Sequence, residues 1–122
     1  MIAEKSYEFC KIYVRADSVE TIVGVLSSEL GVDFVAKIAT MDRTLLEVLR
    51  NDDGLPLEQS GDDFVRWPVL VEVESPEGID RGRVVWLTGR LLEILWRNDY
   101  EAVASCEFED ELPQDGGIGR IR

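Results

Sequence analysis

Carboxylates are the most plentiful chemistry-bearing groups in this chain. Glu107, Glu109, Asp110, Glu111 and Asp115 fall within CEFEDELPQDGG (106–117), with no basic residue among them. A second set, Asp52, Asp53, Asp62 and Asp63, brackets DDGLPLEQSGDD (52–63). Closely spaced oxygen donors can hold magnesium or calcium. Paired carboxyls can share hydrolytic acid–base work. A run of negative charge can also draw in a cationic protein. The first two readings lack their usual supports: EFEDELP contains no DxDxDG loop, and nothing in the pattern marks one carboxyl as desolvated. A solvated, charged strand end is the plainest reading of the cluster, and a contact surface for a basic partner is the leading functional one.

What is missing narrows the chemistry further. The chain has no histidine, which removes Ser–His–Asp and Cys–His catalysis and the commonest acid–base group at neutral pH. Its two cysteines, Cys10 and Cys106, form no CxxC pair and read as two reduced, buried thiols. No catalytic residue, metal site or cofactor is expected. Arg83, Arg90 and Arg97 recur every seven residues and read as one outer helix stripe, paired with Glu93. PEGIDRGR carries Glu77 and Asp80 beside its glycines and makes a poor phosphate site. Trp67, Trp86 and Trp96 read mainly as core; Trp86 falls off the apolar stripe and, if exposed, is an interface anchor.

With 122 residues the chain reads as a single domain, 1–122. Its formal charge of −12 repels phosphate backbones and anionic membrane surfaces, so neither nucleic acid nor membrane is an expected partner. No apolar run approaches the length of a membrane span. The opening MIAEKSYEF lacks the basic and apolar regions of a secretion signal, so a cytoplasmic location is expected.

The elements that would position these groups follow from periodicity. SYEFCKIYVR (6–15) alternates, with Glu8, Cys10, Ile12 and Val14 on one face and Tyr7, Phe9, Lys11 and Tyr13 on the other, and reads as a strand with one face on the core. Asp17 and Glu20 form a capping box for a helix that buries Val19, Ile22, Val23, Leu26 and Leu30 and ends at Gly31. VDFVAKIAT (32–40) and TLLEVLRN (44–51) form a hairpin around MDR (41–43). An acidic loop spans 52–63. FVRWPVLVEVES (64–75) follows as a strand with Val65, Trp67, Val69, Val71 and Val73 inward, placed at an edge or bulged by Pro68. Asp80 caps a second helix over 81–98, with Val84, Leu87, Leu91, Ile94 and Leu95 inward. EAVASCEFE (101–109) is the last strand, and 114–122 a flexible tail whose two arginines trail in solvent. Gly24 and Gly89 lie mid-helix and predict close packing there. The order predicts an α+β fold, ferredoxin-like β-α-β-(β)-β-α-β, with a mostly antiparallel sheet and two helices on one face.

Trp67, Pro68, Leu91, Leu92, Trp96, Cys106, Glu107, Phe108, Glu109, Asp110, Leu112, Pro113, Gly116 and Gly117 carry a resemblance. The strand WPVLVEVE, the helix segment LLEILW and the ending AVASCEFEDELPQDGG resemble a small bacterial family of uncharacterised proteins. The likeness covers about half of the chain. Small acidic proteins of this kind resemble immunity proteins of bacterial toxin systems. The resemblance implies no catalytic residue. The charge of −12, the absent histidine, the single small domain and the exposed acidic segment lead to a non-enzymatic inhibitor of a basic toxin domain, of the immunity type this likeness suggests, with contacts expected from Glu107, Glu109, Asp110, Glu111, Asp52, Asp53, Asp62 and Asp63, and from Trp86 if exposed. Two alternatives stay open: a structural protein that pairs with itself through an open sheet face or a free edge at TLLEVLRN, and a carboxylate-based, metal-dependent hydrolase.

Overall fold

The computed structural model describes residues 5–121. Residues 1–4, part of the segment read for a secretion signal, and Arg122 of the tail lie outside them. In chain order the elements are β1 (Phe9–Val14), α1 (Val19–Leu30), β2 (Ile38–Met41), β3 (Thr44–Arg50), a single turn α2 (Leu57–Ser60), β4 (Val69–Glu74), α3 (Arg81–Arg97), β5 (Ala102–Ser105) and a final turn α4 (Ile118–Ile121). The five strands form one antiparallel sheet in the order β2-β3-β4-β1-β5. The α+β class and the antiparallel pairing are as the periodicity predicts; the order is that of a five-stranded sheet with β2 outermost.

Alternation decides which face is buried. Cys10, Ile12, Val14, Leu46, Val48, Val69, Val71, Val73, Ala102 and Ala104 share one core with Ile22 and Leu26 of α1 and Leu87, Leu91, Ile94 and Leu95 of α3. Both long helices therefore cover the same side of the sheet. Strand geometry puts the alternate set on the opposite face, where Leu70 and Val103 are also buried while Phe9 and Leu45 stay exposed.

Several local expectations are corrected. Ser18, not Asp17, caps α1, its Oγ accepting from the Thr21 amide at 3.2 Å. β2 is shorter than its alternation suggests, because Ala36 and Lys37 adopt positive φ and close a turn through the Val35–Ile38 bridge. Asp42 and Arg43 also have positive φ, which makes the β2–β3 link a tight two-residue turn. β3 is flanked by β2 and β4, so TLLEVLRN offers no free edge. β4 lies between β3 and β1 rather than at an edge, and starts one residue after Pro68, where the missing N–H costs no ladder bond. Gly89 does permit a close approach: a Cβ there would lie 3.2 Å from Pro113 Cδ. Gly24 has open space around it, so packing does not explain it.

The 51–67 segment is anchored rather than free. Asn51 is buried; its Nδ2 donates to the carbonyls of Val65 and Trp67 at 2.9 and 2.8 Å, and its Oδ1 accepts from the Asp53 amide. Trp67 is fully buried outside the main core, donating Nε1–H to the Gly61 carbonyl. It meets Phe64, which packs edge-on against Tyr13. Val65, expected inside, is exposed because the strand has not yet begun. Asn51→Ala leaves two carbonyls without their donor, and should cost about 2 kcal/mol. Urea unfolding with limited proteolysis checks this, with new cleavage expected between residues 52 and 66.

The 114–122 stretch does not trail away. Its described residues fold back on α3 and β5, with Arg120 stacked over the Trp96 ring at 4.6 Å. Gly117 makes the approach possible: at φ 104, a Cβ would stand 2.3 Å from the Ala102 carbonyl oxygen.

Candidate functional site

The acidic stretch after β5 is a turn, not a strand end. β5 stops at Ser105, and residues 109–111 form a tight helical turn that swings Phe108 inward. Phe108 is completely buried and stacks on Tyr7 with ring centroids 5.1 Å apart. The carboxylates around it are largely occupied by this chain. Glu107 accepts from the Ser6 amide at 3.0 Å, and Glu109 from the Cys106 amide at 3.2 Å. Asp110 pairs with Lys5 at 2.7 Å, and Glu111 accepts from both Tyr7 Oη and Lys5. The Lys5 hydrogen bond holds the Asp110 carboxyl below its ordinary range, and donation to Glu111 pushes the Tyr7 hydroxyl up. The N-terminal segment thus engages Glu107, Asp110 and Glu111, although Lys5 is the one positive charge that its described residues bring to them.

The other expected contacts are scattered. Asp52, Asp53, Asp62 and Asp63 are exposed. Their segment packs at the Tyr13 end of β1, whereas the 106–111 turn continues from Ser105, which pairs with Lys11 near the strand's start. The two acidic patches therefore sit at opposite ends of the strand. Trp86 is 57% exposed, as its place off the stripe predicts, but it carries Arg83 stacked over its ring, and Arg83 also pairs with Asp42. The groove beside it, lined by Met41, Ile79 and Leu87, is small and mostly apolar.

The outer face of the sheet is covered at its Tyr13 end, where Leu70 and Val103 are buried, but its other end stays open and brings together residues that the linear pattern does not. Strand register places Lys11, Glu72, Glu47 and Ile38 side by side across β1, β4, β3 and β2. The next row on this face is Phe9, Glu74, Leu45 and Thr40. Phe9, Leu45 and Ile38 are 42%, 42% and 38% exposed. Glu47 stands directly opposite Glu72, a like-charge pair that costs stability in an antiparallel ladder. Partial burial raises the Glu72 carboxyl above its ordinary value; Lys11 opposes this, while Glu47 and Glu74 add to it. Alternating polar and apolar residues in each strand hinted at a half-open sheet, but only the register shows that three glutamates meet.

The sign of the Glu72 shift gives a pH prediction. A folded pKa above the unfolded one means that the charged form strains the folded state at neutral pH, and the strain is relieved as pH falls through that raised value. Glu72→Gln should therefore stabilise near pH 7 by up to about 0.5 kcal/mol, allowing for solvent screening, and give no gain near pH 4. Thermal unfolding at both pH values checks it; an equal gain at both would contradict it.

Among the described residues, no three His, Cys, Asp or Glu side chains converge to hold a metal ion, and no helix is long and apolar enough to cross a membrane. Comparison with protein-family models, curated proteins and solved structures finds no match to this chain.

Proposed function

We propose that this chain is a non-enzymatic binding protein that docks a basic protein domain, in the manner of an immunity or antitoxin-like inhibitor of a toxin. The carrying observation is the open end of the outer sheet face, where Glu47 and Glu72 lie directly opposed with Glu74 beside them, amid exposed Phe9, Leu45 and Ile38. A protein gains nothing in isolation from opposed carboxylates. A cationic partner would relieve that repulsion, and the apolar rim would supply contact area that charge alone does not. The overall charge of −12 would steer such a partner in, faster at low salt.

This reading moves the contact surface from the residues singled out by sequence to the sheet. Glu107, Glu109, Asp110 and Glu111 become mainly structural, and Asp52, Asp53, Asp62 and Asp63 a peripheral patch that aids encounter. We also read the sheet as a variant of the ferredoxin-like fold: β5-β1-β4-β3 follows the 4-1-3-2 order of that fold, with β2 added outside β3. A cytoplasmic inhibitor fits this reading.

Co-purification from the source cell at low and moderate salt tests it. Recovery of a basic protein whose yield falls as salt rises is the expected result. Recovery of no basic protein at any salt, or of a salt-insensitive homodimer alone, would reject it.

A further inference from the structure

The two cysteines, 96 positions apart in sequence, are neighbours in the fold. The β1–β5 register pairs Ile12 with Ala104 and ends with Lys11 against Ser105, so Cys10 and Cys106 are the residues that immediately follow the last paired step on their two strands. The hydrogen-bonding phase of this ladder can be read from its far end, where the Arg15 amide donates to the Glu101 carbonyl. Alternation from that hydrogen-bonded pair, carried one step past the last pairing, would put Cys10 and Cys106 in the non-hydrogen-bonded position, the closer kind, where Cα atoms sit roughly 4.5 Å apart. That spacing falls within the span that a disulfide bridges. Their side chains point to the same face as Ile12 and Ala104.

The two thiols also differ in access. Cys10 is fully buried, while Cys106 is half-buried at the start of the acidic turn. Cys10 Sγ donates to the Lys11 carbonyl at 3.8 Å, and the two thiols are near enough to shift each other's ionisation, Cys106 downward and Cys10 upward. The Phe108 amide adds to the stabilisation of the Cys106 sulfur, while burial and the nearby Glu109 and Asp110 charges oppose it.

We infer that Cys106 is an oxidation site for small peroxides, and that Cys10 resolves it by forming an intramolecular Cys10–Cys106 disulfide. In the first step the Cys106 thiolate attacks one oxygen of hydrogen peroxide; the O–O bond breaks, Cys106 becomes a sulfenic acid and hydroxide leaves. In the second, Cys10 Sγ attacks the Cys106 sulfur; the S–S bond forms, and the sulfenic hydroxyl leaves with the Cys10 proton as water. Overall, two thiols lose two electrons and two protons, and one peroxide becomes two waters. A cellular dithiol reductant would reverse the bond by thiol–disulfide exchange. The bridge would tie the start of β1 to the turn that carries Phe108 and Glu109, beside the open end of the outer face.

The test uses the full chain, reduced, treated with hydrogen peroxide and mapped under non-reducing conditions. The expected result is a linked Cys10–Cys106 peptide, two hydrogens lighter than its parts. Cys10→Ser should halt the reaction at the sulfenic acid, trapped by dimedone on Cys106, and Cys106→Ser should leave Cys10 unoxidised. If Cys10→Ser does not fold, the wild-type peptide map decides alone. A persistent sulfenic acid in the wild type, a disulfide only between molecules, or two unreacted thiols would overturn the inference.

Discussion

Phe108→Ala should remove about 3–5 kcal/mol of stability, the usual cost of emptying a fully buried aromatic site. Phe108 has no exposed surface, stacks on Tyr7 and belongs to the same core as the sheet and α3. A domain of this size holds about 5–15 kcal/mol in total, so the loss consumes a large share of it. The substitution should also loosen the N-terminal segment, because Tyr7 reaches both the Phe108 ring and Glu111. Neutralising the flanking charges should do far less. Asp110→Asn breaks a solvent-exposed pair with Lys5, and screening by water leaves such a pair little weight in stability. Urea denaturation of the two variants side by side measures the contrast. A Phe108→Ala loss no larger than that of Asp110→Asn would mean that the acidic turn is not held by its aromatic residue.

Reversing the sheet face, Glu47→Lys with Glu72→Lys and Glu74→Lys, should abolish capture of a basic partner while the fold survives. The three side chains point away from the helices, and none is fully buried. The exchange swaps one like-charge cluster for another, with Lys11 registered against position 72, so the fold meets a repulsion of similar kind on a half-exposed surface. The attraction, by contrast, changes sign at the centre of the proposed contact, where each charge pair matters most. A matched triple at the loop, Asp52→Lys with Asp62→Lys and Asp63→Lys, changes the net charge equally. It should slow association and leave the complex able to form. Association and dissociation rates of the captured partner with both variants separate the two effects. Equal losses would reduce the face to a share of a general negative field.

Much of this architecture is legible in the linear pattern, for identifiable reasons. The α3 stripe of Val84, Leu87, Leu91, Ile94 and Leu95 recurs at helical spacing and is buried throughout. Asp80 caps that helix and Gly31 ends α1 in the left-handed conformation, each a local device with a local signature. What fails is alternation carried across a strand boundary. Val65 and Trp67 share parity with Val69 but precede the strand, and the Asn51 side chain holds that backbone in another path. The turn after Ser105 fails likewise: Cys106 and Phe108 do face inward, but through a helical turn anchored by long-range bonds to Lys5, Ser6 and Tyr7. The candidate site lies deeper still. Glu47, Glu72 and Glu74 meet only through the β3–β4 register, which pairs residues some 25 positions apart. The Cys10–Cys106 neighbourhood depends on a register of the same kind.

Carboxyl footprinting of the chain alone and with its captured basic partner tests the central claim most directly. Each exposed carboxylate is labelled with a carbodiimide-coupled amine, and its modification is read by mass spectrometry. Labelling of Glu47, Glu72 and Glu74 should fall on binding, while that of Asp110 and Glu107 stays level. Protection confined to residues 107–111, with the sheet glutamates unchanged, would contradict the account.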